Sequence, residues 1–248
     1  MNRHALLLLL LPILTGHACA ADVQVAVAAN FTAPMKRIAA AFEQATGHRA
    51  VLAFGSTGKL YAQIKNGAPF EVLLAADDET PGKLGKEGAA VAASQFTYAR
   101  GKLALWSAKP AICDAGVEVL KRGGFDHIAL ASPKLAPYGA AAVEAMRALG
   151  VHDALAPKFV TAENIGQAFQ YVKSGNALLG FIALSQVMQD GQIVAGSAWV
   201  LPADLYRPIR QDAVILANGK GKPAAAALMQ FLRGEQARAV IRSYGYDL

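Results

Sequence analysis

Apolar runs of strand length alternate with helical stripes along almost the whole chain. Val23 to Ala29 is the first such run. Met35, Ile38, Ala39 and Phe42 then recur at i, i+3, i+4 and i+7, which places them on one helical face, and Gly47 stops the stripe. Ala50 to Phe54 predicts a second strand, and Leu60, Tyr61 and Ile64 a short helix ending at Gly67. Val72 to Ala76 predicts a third strand, followed by a helix near Pro81 to Lys86 that stops at Gly88. Such alternation implies a parallel sheet with helices on its faces.

The second half repeats the theme. Ile128 to Ala131 predicts a strand, and Ala142, Ala145, Met146 and Leu149 form a stripe ending at Gly150. Lys158 to Val160 predicts a short strand, Ile165, Ala168, Phe169 and Val172 a helix ending at Gly175, and Leu179 to Ile182 a buried strand. Two longer extended runs, Phe96 to Ser107 and Ile209 to Ala217, interrupt the alternation. Pro223 to Arg233 and Glu235 to Tyr244 read as helices broken at Gly234. The pattern predicts an α/β protein of two lobes, each a mainly parallel sheet flanked by helices. Residues 22–98 with 208–248 form lobe 1 and residues 99–207 form lobe 2. With no Pro/Ser-rich linker between them, the crossing strands double as a hinge.

Composition narrows the class. The chain has 248 residues, 54% hydrophobic and 17% charged, enough to bury a sizeable core. Two cysteines exclude a disulfide scaffold and a Cys-rich metal site. The formal charge of +6 is spread along the chain. Only Lys36-Arg37 and Lys121-Arg122 pair basic residues directly, so no nucleic-acid partner is expected. The first 20 residues are expected to be a cleaved export signal. Arg3 opens a positive segment, Ala5 to Leu14 is an apolar core too short to cross a bilayer, and Ala18-Cys19-Ala20 offers the small-x-small cleavage pattern. Cleavage after Ala20 would make the protein periplasmic. Gly16-His17-Ala18 lacks the bulky aliphatic residue that lipidation at Cys19 would want.

The chemistry-bearing positions lie where a strand gives way to a helix. Ala28-Ala29-Asn30-Phe31-Thr32 follows the first strand and Gly55-Ser56-Thr57-Gly58 the second. Pro137-Tyr138-Gly139 and Glu163-Asn164-Ile165-Gly166 hold the same place in the second half. Helix N-termini expose unpaired N–H groups and partial positive charge, so they bind anions without Lys or Arg. Singly, each junction reads as a helix cap. Four of them facing one cleft would surround a small anion. Gly55-Ser56-Thr57-Gly58 is not a P-loop, because the G-x-x-x-x-G-K-[ST] spacing is missing.

Enzyme constellations are poorly represented. His48, His127 and His152 lack ligand spacing, no G-x-S-x-G elbow is present, and Cys113 has no His nearby in sequence. Asp77-Asp78-Glu79 is expected to be a solvated loop that caps the next helix.

At these junctions the chain resembles the molybdate-binding proteins of bacterial ABC transporters, a branch of the type II periplasmic substrate-binding proteins. The likeness rests on Ala28-Ala29-Asn30-Phe31, Gly55-Ser56-Thr57-Gly58-Lys59-Leu60 and Asn66-Gly67-Ala68-Pro69. It continues through Leu74-Ala75-Ala76-Asp77, Ala136-Pro137-Tyr138-Gly139, Glu163-Asn164-Ile165-Gly166-Gln167 and Tyr244-Gly245-Tyr246. The resemblance implies two lobes closing over one tetrahedral oxyanion, molybdate or tungstate. It places the contacts on Asn30 and the Ala29 backbone, on Ser56 and Thr57, on Tyr138, and on the backbone N–H of Ile165. It further implies a monomer without cofactor that hands its ligand to the permease of an ABC importer.

This chain departs from the family at several places. Many relatives have Ser where it has Asn30 and Thr57, and many carry a Tyr in the stretch that here reads Phe181-Ile182-Ala183-Leu184-Ser185. Tyr138 is left to supply that hydroxyl from a different helix.

Molybdate at neutral pH is an unprotonated dianion that only accepts hydrogen bonds. Amides and hydroxyls suit it and a carboxylate does not. Phosphate, partly protonated, would profit from a carboxylate, and none sits at the four junctions. Two further readings stand beside this one: a binding protein for sulfate or another tetrahedral oxyanion, and an exported hydrolase.

Overall fold

The computed structural model describes residues 20–248. The export segment expected over the first 20 residues falls, save for Ala20, outside the described residues. Strands and helices alternate as the pattern demands. β1 (Asp22–Ala28) leads through a short 3-10 turn (Ala29–Phe31) into α1 (Thr32–Thr46), then β2 (Arg49–Gly55), α2 (Thr57–Lys65), β3 (Val72–Leu74) and α3 (Glu79–Lys86). Alternation of side chains along the strands sorts the helices into two layers. Val23, Val25 and Val27 face a core with Phe31, Met35 and Ile38 of the α1 region, joined by Leu228 of α8 (Pro223–Arg233) and Ile241 of α9 (Glu235–Ser243). Ala26 and Leu73 face the opposite way, onto Leu60 of α2 and Leu84 of α3.

The extended run from Phe96 to Ser107 is two strands, not one. β4 (Phe96–Gly101) closes the first sheet and β5 (Leu103–Ser107) enters the second, with only Lys102 between them. The second lobe continues with α4 (Val117–Arg122), β6 (Ile128–Ala131), α5 (Pro137–Ala148), α6 (His152–Leu155), β7 (Phe159–Ala162), α7 (Ile165–Lys173) and β8 (Leu179–Ala183). A small antiparallel pair, β9 (Met188–Gln189) and β10 (Gln192–Ile193), precedes β11 (Ser197–Val200), after which β12 (Ile209–Ile215) returns to the first sheet.

The first sheet runs β2-β1-β3-β12-β4 and the second β11-β5-β8-β6-β7. Both are parallel where strands alternate with helices and antiparallel where the crossing strands join. The reason is connectivity: a crossover helix returns the chain to run parallel, whereas β12 and β5 arrive from the other lobe. β12 carries a register shift between Gln211 and Asp212, a bulge of the kind that re-aims side chains. No helix among the described residues is long and apolar enough to cross a membrane.

The chain ends on a turn that matters for the site. Gly245 adopts φ +82 after α9, a left-handed conformation that glycine reaches without Cβ strain. A Cβ there would also stand 2.5 Å from the Met188 sulfur. This turn folds Tyr246 inward, where it is buried against Phe31 with ring centroids 5.4 Å apart.

Candidate functional site

Each of the four junctions sits at the carboxyl end of a strand: β1 and β2 in one lobe, β6 and β7 in the other. The chain starts the helices in different ways. Ser56 is extended before α2, Pro137 opens α5 at a position where its missing N–H costs nothing, and Asn164 caps α7 by accepting from Gln167 N at 3.0 Å. The four ends meet at one small interlobe cavity of about 10 Å³, close to the room one water needs. Ala29, Asn30, Ser56, Thr57, Tyr138 and Ile165 all line it. The remaining lining residues are Ala, Gly and Pro, with no charged side chain among them.

The hydrogen-bond inventory separates these residues. Ser56 Oγ, in a residue 3% exposed, is the buried side-chain polar atom left without a partner among the described residues. Thr57 Oγ1 accepts from Ala76 N at 3.0 Å, which leaves the hydroxyl hydrogen unspent. Ile165 heads α7, so its N–H has no partner within the helix. Pro137 has no N–H, so Tyr138 offers the first amide of α5.

Asn30 gives both its side-chain hydrogens elsewhere, and the Tyr138 hydroxyl is turned to another partner. Asn30 Nδ2 donates to Gln211 Oε1 at 2.8 Å and to the Tyr246 hydroxyl at 2.9 Å. The Tyr138 hydroxyl accepts from Gln211 Nε2 at 3.2 Å and faces β12 across the lobes. Burial pushes the Tyr98 and Tyr138 hydroxyls well above the ordinary tyrosine value and that of Tyr246 up to about 12, so all three stay protonated.

Gln211, Ser185, Tyr98 and Tyr246 form a buried polar network that the sequence reading did not single out. The available signals were a polar triplet, Arg210-Gln211-Asp212, inside the extended run from Ile209, and the closing Tyr244-Gly245-Tyr246.

Around the cavity the lobes touch. Gly58 N donates to Leu135 O at 2.9 Å, and Lys59 Nζ pairs with Glu163 at 2.8 Å across the cleft. Arg207, on the return crossing, pairs with Glu144 at 2.9 Å and lies 3.9 Å from Glu79. The Asp77 loop is less solvated than expected. Asp77 is part-buried, burial raises its carboxyl above the usual range, and it caps α3 by accepting from Thr80 N at 2.8 Å. It lines a larger opening between the lobes, together with Lys134, Glu144 and Arg207, and not the small cavity. Cys113 is buried, and burial lifts its thiol to about 11, which suits an inert packing role. No group of three His, Cys, Asp or Glu that could hold a metal occurs among the described residues.

The fold and the facing helix starts define a class. The chain belongs to the bacterial extracellular solute-binding protein family, whose profile matches residues 23–247. Within it, the chain is 60% identical over 231 residues to the molybdate-binding protein ModA of Azotobacter vinelandii, covering 93% of this chain and 92% of that one. It is 52% identical over 230 residues to the molybdate-binding protein ModA of Rhodobacter capsulatus, covering 92% and 89%. A solved Azotobacter vinelandii periplasmic molybdate-binding protein matches with TM-score 0.88 at 43% identity, covering 91% of this chain and 99% of that one.

Proposed function

We propose that this protein captures molybdate, and tungstate with it, in the interlobe cavity and delivers it to the permease of an ABC importer. The observation that carries this reading is a cavity lined from both lobes by amides and hydroxyls, with the Ser56 hydroxyl buried and unpartnered and no charged side chain in the lining. A dianion without hydrogens to donate is matched by donors alone, each hydrogen bond to a full charge contributing about 1.5–3 kcal/mol.

In this reading Ser56 and Thr57 donate from their hydroxyls, and Ala29, Asn30, Tyr138 and Ile165 from the backbone. The resemblance put a side-chain role on Asn30 and Tyr138. The hydrogen-bond inventory favours their main-chain amides instead. The hinge comprises Gly101 to Leu103 and the segment from Leu201 to Pro208. Export to the periplasm with cleavage after Ala20, and a monomer needing no cofactor, complete the reading.

Isothermal titration of residues 21–248 with molybdate, tungstate, sulfate and phosphate tests it. Molybdate and tungstate should bind one to one with similar affinity, and sulfate and phosphate at least about tenfold more weakly, a gap of ~1.4 kcal/mol. Sulfate equalling molybdate would overturn the choice of ligand.

A further inference from the structure

Three buried residues close a ring of hydrogen bonds behind the cavity. Asn30 Nδ2 donates to the Tyr246 hydroxyl at 2.9 Å, Tyr246 donates to Ser185 Oγ at 2.9 Å, and Ser185 donates to the Asn30 carbonyl at 2.9 Å. Each hydroxyl has one hydrogen to give; that of Tyr246 lies 2.9 Å from Ser185 Oγ and 3.0 Å from the Asn30 carbonyl, and in the ring it goes to Ser185. The other Asn30 Nδ2 hydrogen goes to Gln211, whose own amide reaches Tyr138.

Ser185 differs from the other members. It sits in the 3-10 turn Leu184–Gln186 after β8, in the second lobe, and is 4% exposed. Asn30 and Tyr246 both belong to the first lobe. Both hydrogen bonds of the Ser185 hydroxyl therefore cross between lobes, and they exist only while the lobes are together. One of them ends on the main chain of Asn30, in the turn that lines the cavity.

We infer that Ser185 is a positioning residue for anion capture: by fastening the Asn30 carbonyl and Tyr246 on closure, it makes shutting the cleft and fixing the turn Ala29–Phe31 one event. The inference rests on the proposed oxyanion function and adds to it a residue that touches no ligand. Its main effect falls on release, because the clasp must break before the lobes part. Tyr246, protonated at every working pH, keeps the ring intact across the neutral range. Losing Ser185 removes both ties between the lobes at this point: the Tyr246 hydroxyl, 3.0 Å from the Asn30 carbonyl, then turns to it, and the pair stays within the first lobe.

The test measures radiolabelled molybdate dissociating from the mature chain under an excess of unlabelled molybdate, together with association rates and melting of the ligand-free protein. Ser185→Ala should raise the dissociation rate about tenfold, the effect of one to two hydrogen bonds. Association should stay within about twofold and the ligand-free melting temperature should be little changed. Ser185→Thr, which keeps the hydroxyl, should restore slow release. Tyr246→Phe should resemble Ser185→Ala, and the double variant should fall short of additivity because both cut one ring. Wild-type release from Ser185→Ala would overturn the inference. So would a loss that Ser185→Thr does not repair and that tracks a fall in ligand-free melting. Failure of the wild type itself to bind molybdate would instead overturn the proposed function, so the two failures are distinguishable.

Discussion

At the scale of single residues, what decides a role here is which hydrogens remain to be given. Ser56 and Thr57 are neighbours at one helix start, yet their hydroxyls are in different situations. Ser56 Oγ has no partner, while Thr57 Oγ1 already accepts from Ala76 N. Ser56→Ala should therefore weaken molybdate binding about tenfold while leaving the ligand-free melting temperature unchanged or slightly raised, since a buried unmet hydroxyl is removed. Thr57→Val should weaken binding and also destabilise the ligand-free protein by about 1–3 kcal/mol, because the Ala76 N–H loses its acceptor. Calorimetric titration paired with thermal melting of each variant separates the two. The sequence made these positions visible as hydroxyls between glycines at a strand-to-helix junction. It did not reveal that the Asn30 amide donates to Gln211 and Tyr246, or that the Tyr138 hydroxyl is turned to Gln211. Those partners lie 181, 216 and 73 residues away, and no local pattern encodes such distances.

At the scale of elements, the junctions work because each helix points its start at the same place and two lobes bring those starts together. Gly58 shows how tightly. It is the second residue of α2, with its N–H on Leu135 O, and a Cβ there would stand 3.1 Å from that same carbonyl. Gly58→Ala favours helix formation by up to about 1 kcal/mol but presses on the opposite lobe only when the cleft is shut. The variant should melt at or above the wild-type temperature without ligand and bind molybdate several-fold more weakly. An unchanged affinity would mean that Leu135 can yield. Most strands and helices were legible from periodicity and stop residues, since the buried face of each repeats along its own sequence. The division of Phe96–Ser107 at Lys102 was not: both halves are equally apolar, and only pairing partners from distant segments assign them to different sheets.

For the whole molecule, the balance of forces across the cleft favours the buried interior over the rim. The Lys59–Glu163 pair is roughly half exposed on both sides, so its contribution is of order 0–1 kcal/mol. The hydrogen bonds of Asn30, Ser185, Tyr246, Gln211 and Tyr138 are buried, where a missing partner costs more. In the proposed reading, closure assembles two things at once, a donor-lined cavity and the polar clasp behind it. Crystallographic location of molybdenum by its anomalous scattering, in crystals of residues 21–248 grown with molybdate, tests this account most directly. It predicts one strong peak among Ser56, Thr57, Tyr138 and Ile165, with ligand oxygens about 2.7–3.1 Å from amide and hydroxyl donors and no Arg or Lys in contact. A peak outside the interlobe cavity, or one held by a cationic side chain, would contradict it.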